Sequence, residues 1–456
     1  MSPKPTQLVL PLSIPITPSE TPVTKSRRRT NGQANRLDSE DRAIHDWYRF
    51  ILSFPPHLVR DYIDKFGLDE RHTILDPFCG TGTTLIEAKL AGIPSIGLEA
   101  NSFAFFASSV KVDWGINPDD LLKCGREIAS SANSLLRSQG IEDTQPINLL
   151  EKNLTLRSLN PEAAKLLITN SISPIPLHKT LILLDYINEH KNDRCYQHLL
   201  LALANALVYK ISNLQFGPEV GVGKLKKDAP VIALWLSEVK KMADDLRFAS
   251  EKANSRSEVH LADSRSISKI IEPNSVDAVI TSPPYPNEKD YSRTTRLESV
   301  ILGFINNKTE LRQLKKRLIR SNTRGVYKED NDDQWVTENS EIQHISDLIE
   351  QRRIELGKDS GFEKLYGRVT QLYFGGMARH LADLRTILRP GAQLAYVVGD
   401  QASYLRVMIR TGEILSEIAQ ELGYELTRID LFRTRFATAS QEQLREEVVV
   451  LRWPKE

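Results

Sequence analysis

Two short strings hold the residue types from which chemistry is built: Asp76-Pro77-Phe78-Cys79-Gly80-Thr81-Gly82-Thr83-Thr84 and, far downstream, Thr281-Ser282-Pro283-Pro284-Tyr285. The first reads as a strand end, a glycine turn and a helix start. Gly80 and Gly82 let backbone approach a bound nucleotide where a Cβ would collide. A dinucleotide fingerprint needs a third glycine three residues after the second, to pack helix on strand over a pyrophosphate. That place is Leu85, so a nicotinamide or flavin dinucleotide is disfavoured. Glu99 closes the next strand, where a carboxylate accepts ribose hydroxyls. Asp263 closes a later one. An acid at one strand end is commonplace. Asp76, Glu99 and Asp263 at successive strand ends would line the crevice where such sheets bind ligands.

Taken alone, Ser282-Pro283-Pro284-Tyr285 fits an ordinary surface turn or polyproline segment. Its position argues otherwise, because it directly follows the β-type run Val276 to Thr281 in a chain that already holds the glycine turn. Two prolines stiffen the loop and remove N–H donors. Together, and in this order, the two strings resemble the cofactor loop and catalytic loop of the S-adenosylmethionine-dependent DNA amino-methyltransferases, which methylate the exocyclic nitrogen of cytosine or adenine.

The resemblance implies an α/β fold, a Rossmann-like class I methyltransferase sheet that is mostly parallel with an antiparallel final strand and carries a large helical insertion. It implies S-adenosyl-L-methionine held by Asp76, Phe78, Gly80, Thr81, Gly82, Thr83, Thr84, Glu99 and Asn101, with Asp263 taking the adenine amino group. In such enzymes a segment before the glycine strand folds over the methionine end, and Phe54, His45 and Trp47 are its candidates here. The exocyclic nitrogen is a poor nucleophile, because its lone pair is delocalised into the ring. Acceptors around its protons draw it toward sp³ geometry. The resemblance assigns that task to Ser282 and the Pro283 carbonyl, with Pro284 stiffening the loop. Tyr285 offers a face to the flipped base, since a base inside the duplex cannot be reached. Serine favours cytosine N4, because adenine-N6 enzymes usually carry Asp or Asn there. No Pro-Cys nucleophile suited to carbon-5 methylation is present.

The elements around these loops follow from pattern. Residues 1–38 read as a disordered tail, proline-rich and then basic at Lys25, Arg27, Arg28, Arg29 and Arg36. Residues 39–116, 256–304 and 366–456 make the catalytic domain, helical from Ser39. Its strands are expected at Thr73 to Asp76, Ser95 to Glu99, Val259 to Asp263, Val276 to Thr281 and Leu394 to Gly399, with a closing antiparallel pair at Leu426 to Phe432 and Val448 to Trp453. Residues 117–255 form a helical insertion, a candidate DNA-recognition region, with N-caps at Asn117-Pro118 and Asn160-Pro161. Inside it, Ser212 to Gly221 is a glycine-rich loop without obvious packing logic. Residues 305–365 form a charged insertion, a candidate DNA-contacting loop.

Charge nearly cancels, 60 basic against 59 acidic residues, so any affinity for double-stranded DNA must be local. Arg312 to Lys328 holds seven Lys/Arg and no acid, and Lys315, Lys316, Arg317, Arg320 and Arg324 are candidates for phosphate contact. Arg293 and Arg296 sit where they would flank a flipped base. Solvated helix faces explain these runs nearly as well. The three cysteines are scattered without a Cys-x-x-Cys pair. That predicts a reducing cytoplasm, no disulfide framework and no metal. No apolar run approaches a membrane span, and no signal peptide is read. The implied partner is a cognate restriction or defence component. An RNA amino-methyltransferase of the transfer-RNA guanine-N2 type shares the glycine turn, but usually carries Asp-Pro-Pro-Tyr. A nucleic-acid-binding subunit without activity would have no reason to keep all three features.

Overall fold

The computed structural model describes residues 37–50, 53–145, 155–217, 219–250, 255–287, 289–437 and 442–455. The tail through Arg36 lies outside the described residues. The molecule is organised on a seven-stranded sheet. In chain order its strands are β1 (Ile74–Asp76), β2 (Ser95–Glu99), β5 (Ser257–Leu261), β6 (Val276–Thr281), β7 (Leu388–Gly399), β8 (Glu425–Ala437) and β9 (Glu442–Arg452). The remaining two, β3 (Leu214–Phe216) and β4 (Val220–Val222), form a separate hairpin. The sheet order is β5-β2-β1-β6-β7-β9-β8, with β5 through β7 parallel and β9 and β8 antiparallel.

The central strands are apolar because both faces are covered, as parallel sheets require. Ile74, Leu75, Val276, Val279 and Leu394 are all buried completely. On one side, Leu58, Val59, Tyr62 and Ile63 of the helix Pro56–Phe66 pack against Ala278, Ile280 and Val397. On the other, Val369, Tyr373 and Met377 of the helix Tyr366–Leu384 meet Val279, Leu394 and Ile345.

Three local expectations are corrected. The segment from Ser39 is not a helix but a short 3₁₀ turn, His45–Trp47, entered through Ile44 at φ +63° and anchored by both core packing and polar bonds. His45 Nε2 pairs with Glu87 at 2.7 Å, and Trp47 Nε1 donates to Asp245 at 2.8 Å. The glycine loop after Ser212 is the β3–β4 hairpin. Strand β7 runs straight through Pro390-Gly391 rather than starting after it. Gly391 takes φ +87° there, and the β6–β7 register slips between Val276 and Ala278, a bulge that accommodates the proline.

Within 117–255 lie helices Pro118–Ser138, Pro174–Glu189, Tyr196–Ala206 and Val231–Ser250. Asn117 accepts from the amides of Asp119 and Asp120, and Asn160 from that of Glu162, each with proline at the first helical position. The 305–365 stretch contains helices Lys308–Arg317 and Ser340–Glu355.

Candidate active site

Strand order reverses between β1 and β6, since β1 leads outward to β2 while β6 takes its other side. Open α/β sheets bind ligands beyond the carboxyl ends of their strands at such a point. A cavity of about 540 Å³ opens there, a size suited to a small-molecule cofactor. Both sequence strings line it. Phe78, Gly80, Thr81, Thr83, Glu99 and Asn101 form one wall, and Ser282, Pro283, Pro284 and Tyr285 form the other.

The turn depends on left-handed backbone, with Gly80 at φ +52° and Gly82 at φ +86°. A Cβ on Gly82 would stand 3.3 Å from that of Ser108, so helix packing also excludes a larger residue. Glu99 braces the turn, its carboxylate accepting from the amides of Gly80 at 2.9 Å and Asn101 at 2.7 Å. Burial pushes this carboxyl up to about 7. Each of its oxygens retains a lone pair for a ligand hydroxyl. Asn101 itself caps the helix Ser102–Val112 through the amides of Phe103 and Ala104. The Thr81 hydroxyl, on the cavity wall, is buried without a partner. An unpaired buried hydroxyl and a carboxylate on the same wall offer polar groups that a ligand's hydroxyl or amino groups could meet.

Four expected cofactor residues, Asp76, Gly82, Thr84 and Asp263, do not line the cavity, and Asp76 is fully buried behind it, accepting from the Thr281 hydroxyl. Gly82 and Thr84 lie beneath the turn, where the Thr84 hydroxyl donates to the Ile280 carbonyl at 3.0 Å. The Asp263 carboxylate is gripped by Arg265, from Nε at 2.9 Å and Nη2 at 2.6 Å. Arg265 pairs in turn with Asp332, and the chain meets the cavity through Ala262 and Ser264 instead. A strand-end acid read from sequence does not reveal that its neighbour two residues on will take it. Of the lid candidates, Phe54 lines the cavity, joined by Tyr48 and Phe50. His45 and Trp47 are core anchors instead.

On the opposite wall, the Ser282 hydroxyl donates to the Val397 carbonyl at 3.2 Å, tying the loop after β6 to β7. With its hydrogen so committed, Ser282 presents lone pairs. Tyr285 lies so close to β7 that a Cβ on Gly399 would be 3.0 Å from its ring, and burial raises its phenol. Behind it Arg433 makes a bidentate pair with Glu446 at 2.6 and 2.8 Å. Asn287, Lys289, Gln401, Arg433, Arg435 and Glu446 all line the cavity, and sequence reasoning missed them. The signal available was Arg433-Thr434-Arg435, two cations on one face of a strand.

The basic run is less free than its sequence suggests. Lys315 pairs with Asp290 at 2.7 Å, and Arg320, 4% exposed, is bidentate to Asp330 at 2.8 Å. Lys316 faces Glu329 at 3.9 Å. Arg317 lines the cavity and Arg324 is exposed. Arg296 is turned inward onto the Ser292 carbonyl at 3.1 Å and its hydroxyl at 3.0 Å. Arg293 lies 3.7 Å from Glu219 on the β3–β4 hairpin.

The sheet order, the switch-point cavity and the two loops that wall it define a Rossmann-like methyltransferase. Comparison with known proteins agrees. The family model described as DNA methylase (N6_N4_Mtase) matches residues 20–107. The Type II methyltransferase M.BsoBI of Geobacillus stearothermophilus is 27% identical, over 94% of this chain and 87% of its own length. The Type II methyltransferase M.AvaI of Nostoc sp. is 25% identical, over 91% and 86%. These likenesses support the DNA amino-methyltransferase family for this chain.

Proposed function

We propose that this chain transfers a methyl group from S-adenosylmethionine to the N4 amino group of a cytosine flipped out of a specific DNA sequence. The observation that carries the reading is the shared cavity, with the glycine turn on one wall and Ser282 to Tyr285 on the other. Bound on the glycine wall, the cofactor would supply an electrophilic methyl on a sulfonium. Glu99 would hold its ribose and Thr81 a further polar group. Ser282 and the Pro283 carbonyl accept the amino protons, and Tyr285 stacks on the base. Orientation of nucleophile against methyl does much of the work in such a transfer. Serine at position 282 favours cytosine over adenine by the family resemblance. Lys289 and Arg435 lie on the cavity wall, where phosphates flanking a flipped base would approach. The relatives' Type II names support pairing with a cognate restriction component.

Tritiated S-adenosylmethionine incubated with the protein and either duplex DNA or total RNA tests this reading. Label is expected in DNA alone. Labelled RNA with untouched DNA would contradict it.

A further inference from the structure

The three cysteines look scattered in the sequence, yet the fold joins two of them. Cys124 lies on the helix Pro118–Ser138 and Cys195 immediately precedes the helix Tyr196–Ala206. Their sulfurs are 3.1 Å apart, across 71 positions of sequence. His190, which ends the helix Pro174–Glu189, places Nδ1 3.7 Å from Cys124 Sγ and 2.7 Å from Asp193 Oδ2. The ligating atoms of Cys124, His190 and Asp193 all fall within 4.8 Å of one another.

We propose that Cys124, Cys195, His190 and Asp193 form a binding site for a thiophilic divalent metal ion, zinc by its ligand chemistry, which fastens the turn 190–195 to the helix Pro118–Ser138. Two sulfurs, an imidazole nitrogen and a carboxylate are a tetrahedral zinc set. Two thiolates also select against magnesium and calcium, which prefer oxygen. Zinc–ligand lengths of about 2.0–2.3 Å imply ligand-to-ligand edges of about 3.3–3.8 Å. The two close contacts, sulfur to sulfur and His190 to Asp193, would open by about half an ångström each, and the Cys195 side chain would turn toward His190 and Asp193 to complete the set.

The turn is already built. The Asp193 amide donates to the His190 carbonyl at 2.9 Å, and the Tyr196 amide donates to the Asp193 carbonyl at 3.1 Å. Three ligands thus come from one rigid turn and the fourth from an opposing helix. The His190 side chain is 30% exposed and that of Asp193 54%, which leaves an entry path from solvent. None of the four lines the catalytic cavity, so the role is to stiffen the helical block.

Cobalt(II) titration of the full chain, kept reduced and free of other metals, tests the site. About one ion per chain should bind, with a near-ultraviolet thiolate-to-cobalt charge-transfer band and the visible bands of tetrahedral cobalt. Zinc should then bleach both and raise the melting temperature. Cys124→Ser and His190→Ala should each weaken zinc binding at least tenfold. The second variant changes a partly exposed side chain and keeps the test open if the first fails to fold. Three results would overturn the proposal: cobalt without a charge-transfer band, zinc affinity unchanged in His190→Ala, or a Cys124–Cys195 disulfide in place of metal in protein isolated without reductant.

Discussion

Thr281 Oγ1 donates to Asp76 Oδ1 at 2.6 Å, with both residues fully buried. The last residue of the strand that launches the catalytic loop thereby holds the carboxylate that ends the cofactor strand. Thr84 repeats the cross-link in the other direction, from the glycine-turn helix to the Ile280 carbonyl. Two loops far apart in sequence are fixed against each other by side chains behind the cavity, and in the proposed reaction their relative position would set the line between nucleophile and methyl.

Thr281→Val keeps the shape and removes the donor. Burial pushes the Asp76 carboxyl up to about 6, against the pull of Thr281 and the Phe78 amide. The acid is therefore ionised at pH 8 and largely neutral at pH 5. Loss of a hydrogen bond to a charged group costs about 1.5–3 kcal/mol, so the variant should lose about that much at pH 8 and less at pH 5. Urea unfolding at both values checks this, and equal losses would argue against the ionised acid.

Glu99 supplies a pH dependence with a definite sign. Its folded carboxyl titrates at about 7, above its ordinary 4.5. Between those values the folded chain holds a proton that the unfolded chain has released. The contribution of Glu99 to stability is therefore greatest in acid and is lost as pH rises from about 4.5 to about 7. Cofactor binding moves the opposite way, because only the carboxylate accepts two ribose hydroxyls. Calorimetry should show S-adenosylmethionine binding several-fold more tightly at pH 8 than at pH 6. In Glu99→Gln, binding should be weaker by about 1–3 kcal/mol and indifferent to pH. A flat profile in the unaltered protein would exclude Glu99 from the ribose.

Within the basic run, Lys315 and Arg320 are held in ion pairs, whereas Arg317 lines the cavity and Arg324 is exposed, so the latter two are the ones proposed to meet phosphate. Arg317→Ala with Arg324→Ala should reduce the salt dependence of DNA binding by roughly one unit of slope per lost contact, with little change in melting temperature. Arg320→Ala should instead destabilise the protein, because it leaves the Asp330 carboxylate without its bidentate partner. Filter binding across a salt series, beside thermal melts, distinguishes them. An unchanged slope in the double variant would mark the run as a solvated face.

Much of this site was legible in the sequence because its signals are local. A glycine turn between strand and helix, and a Pro-Pro loop after an apolar strand, both carry their geometry in adjacent residues. Asn117-Pro118 and Asn160-Pro161 were legible for the same reason. The illegible parts were long-range. Asp263 reads as a ligand-facing acid until Arg265, itself paired with Asp332, is seen to engage it. Lys315 and Arg320 read as free until Asp290 and Asp330 fold against them. Cys124 and Cys195 read as scattered until two helices bring them together. Partner choice among buried charges is decided by tertiary packing, which spacing along a chain does not encode.

The central claim concerns the Ser282 loop and the base it receives. Ser282→Ala or Tyr285→Ala should cut turnover by orders of magnitude while leaving S-adenosylmethionine affinity nearly unchanged, because both residues act on the base. The most direct measurement is to digest DNA methylated by the unaltered protein to nucleosides and identify the modified one by mass spectrometry. N4-methylcytosine is the predicted product. N6-methyladenine or 5-methylcytosine as the modified nucleoside would contradict it.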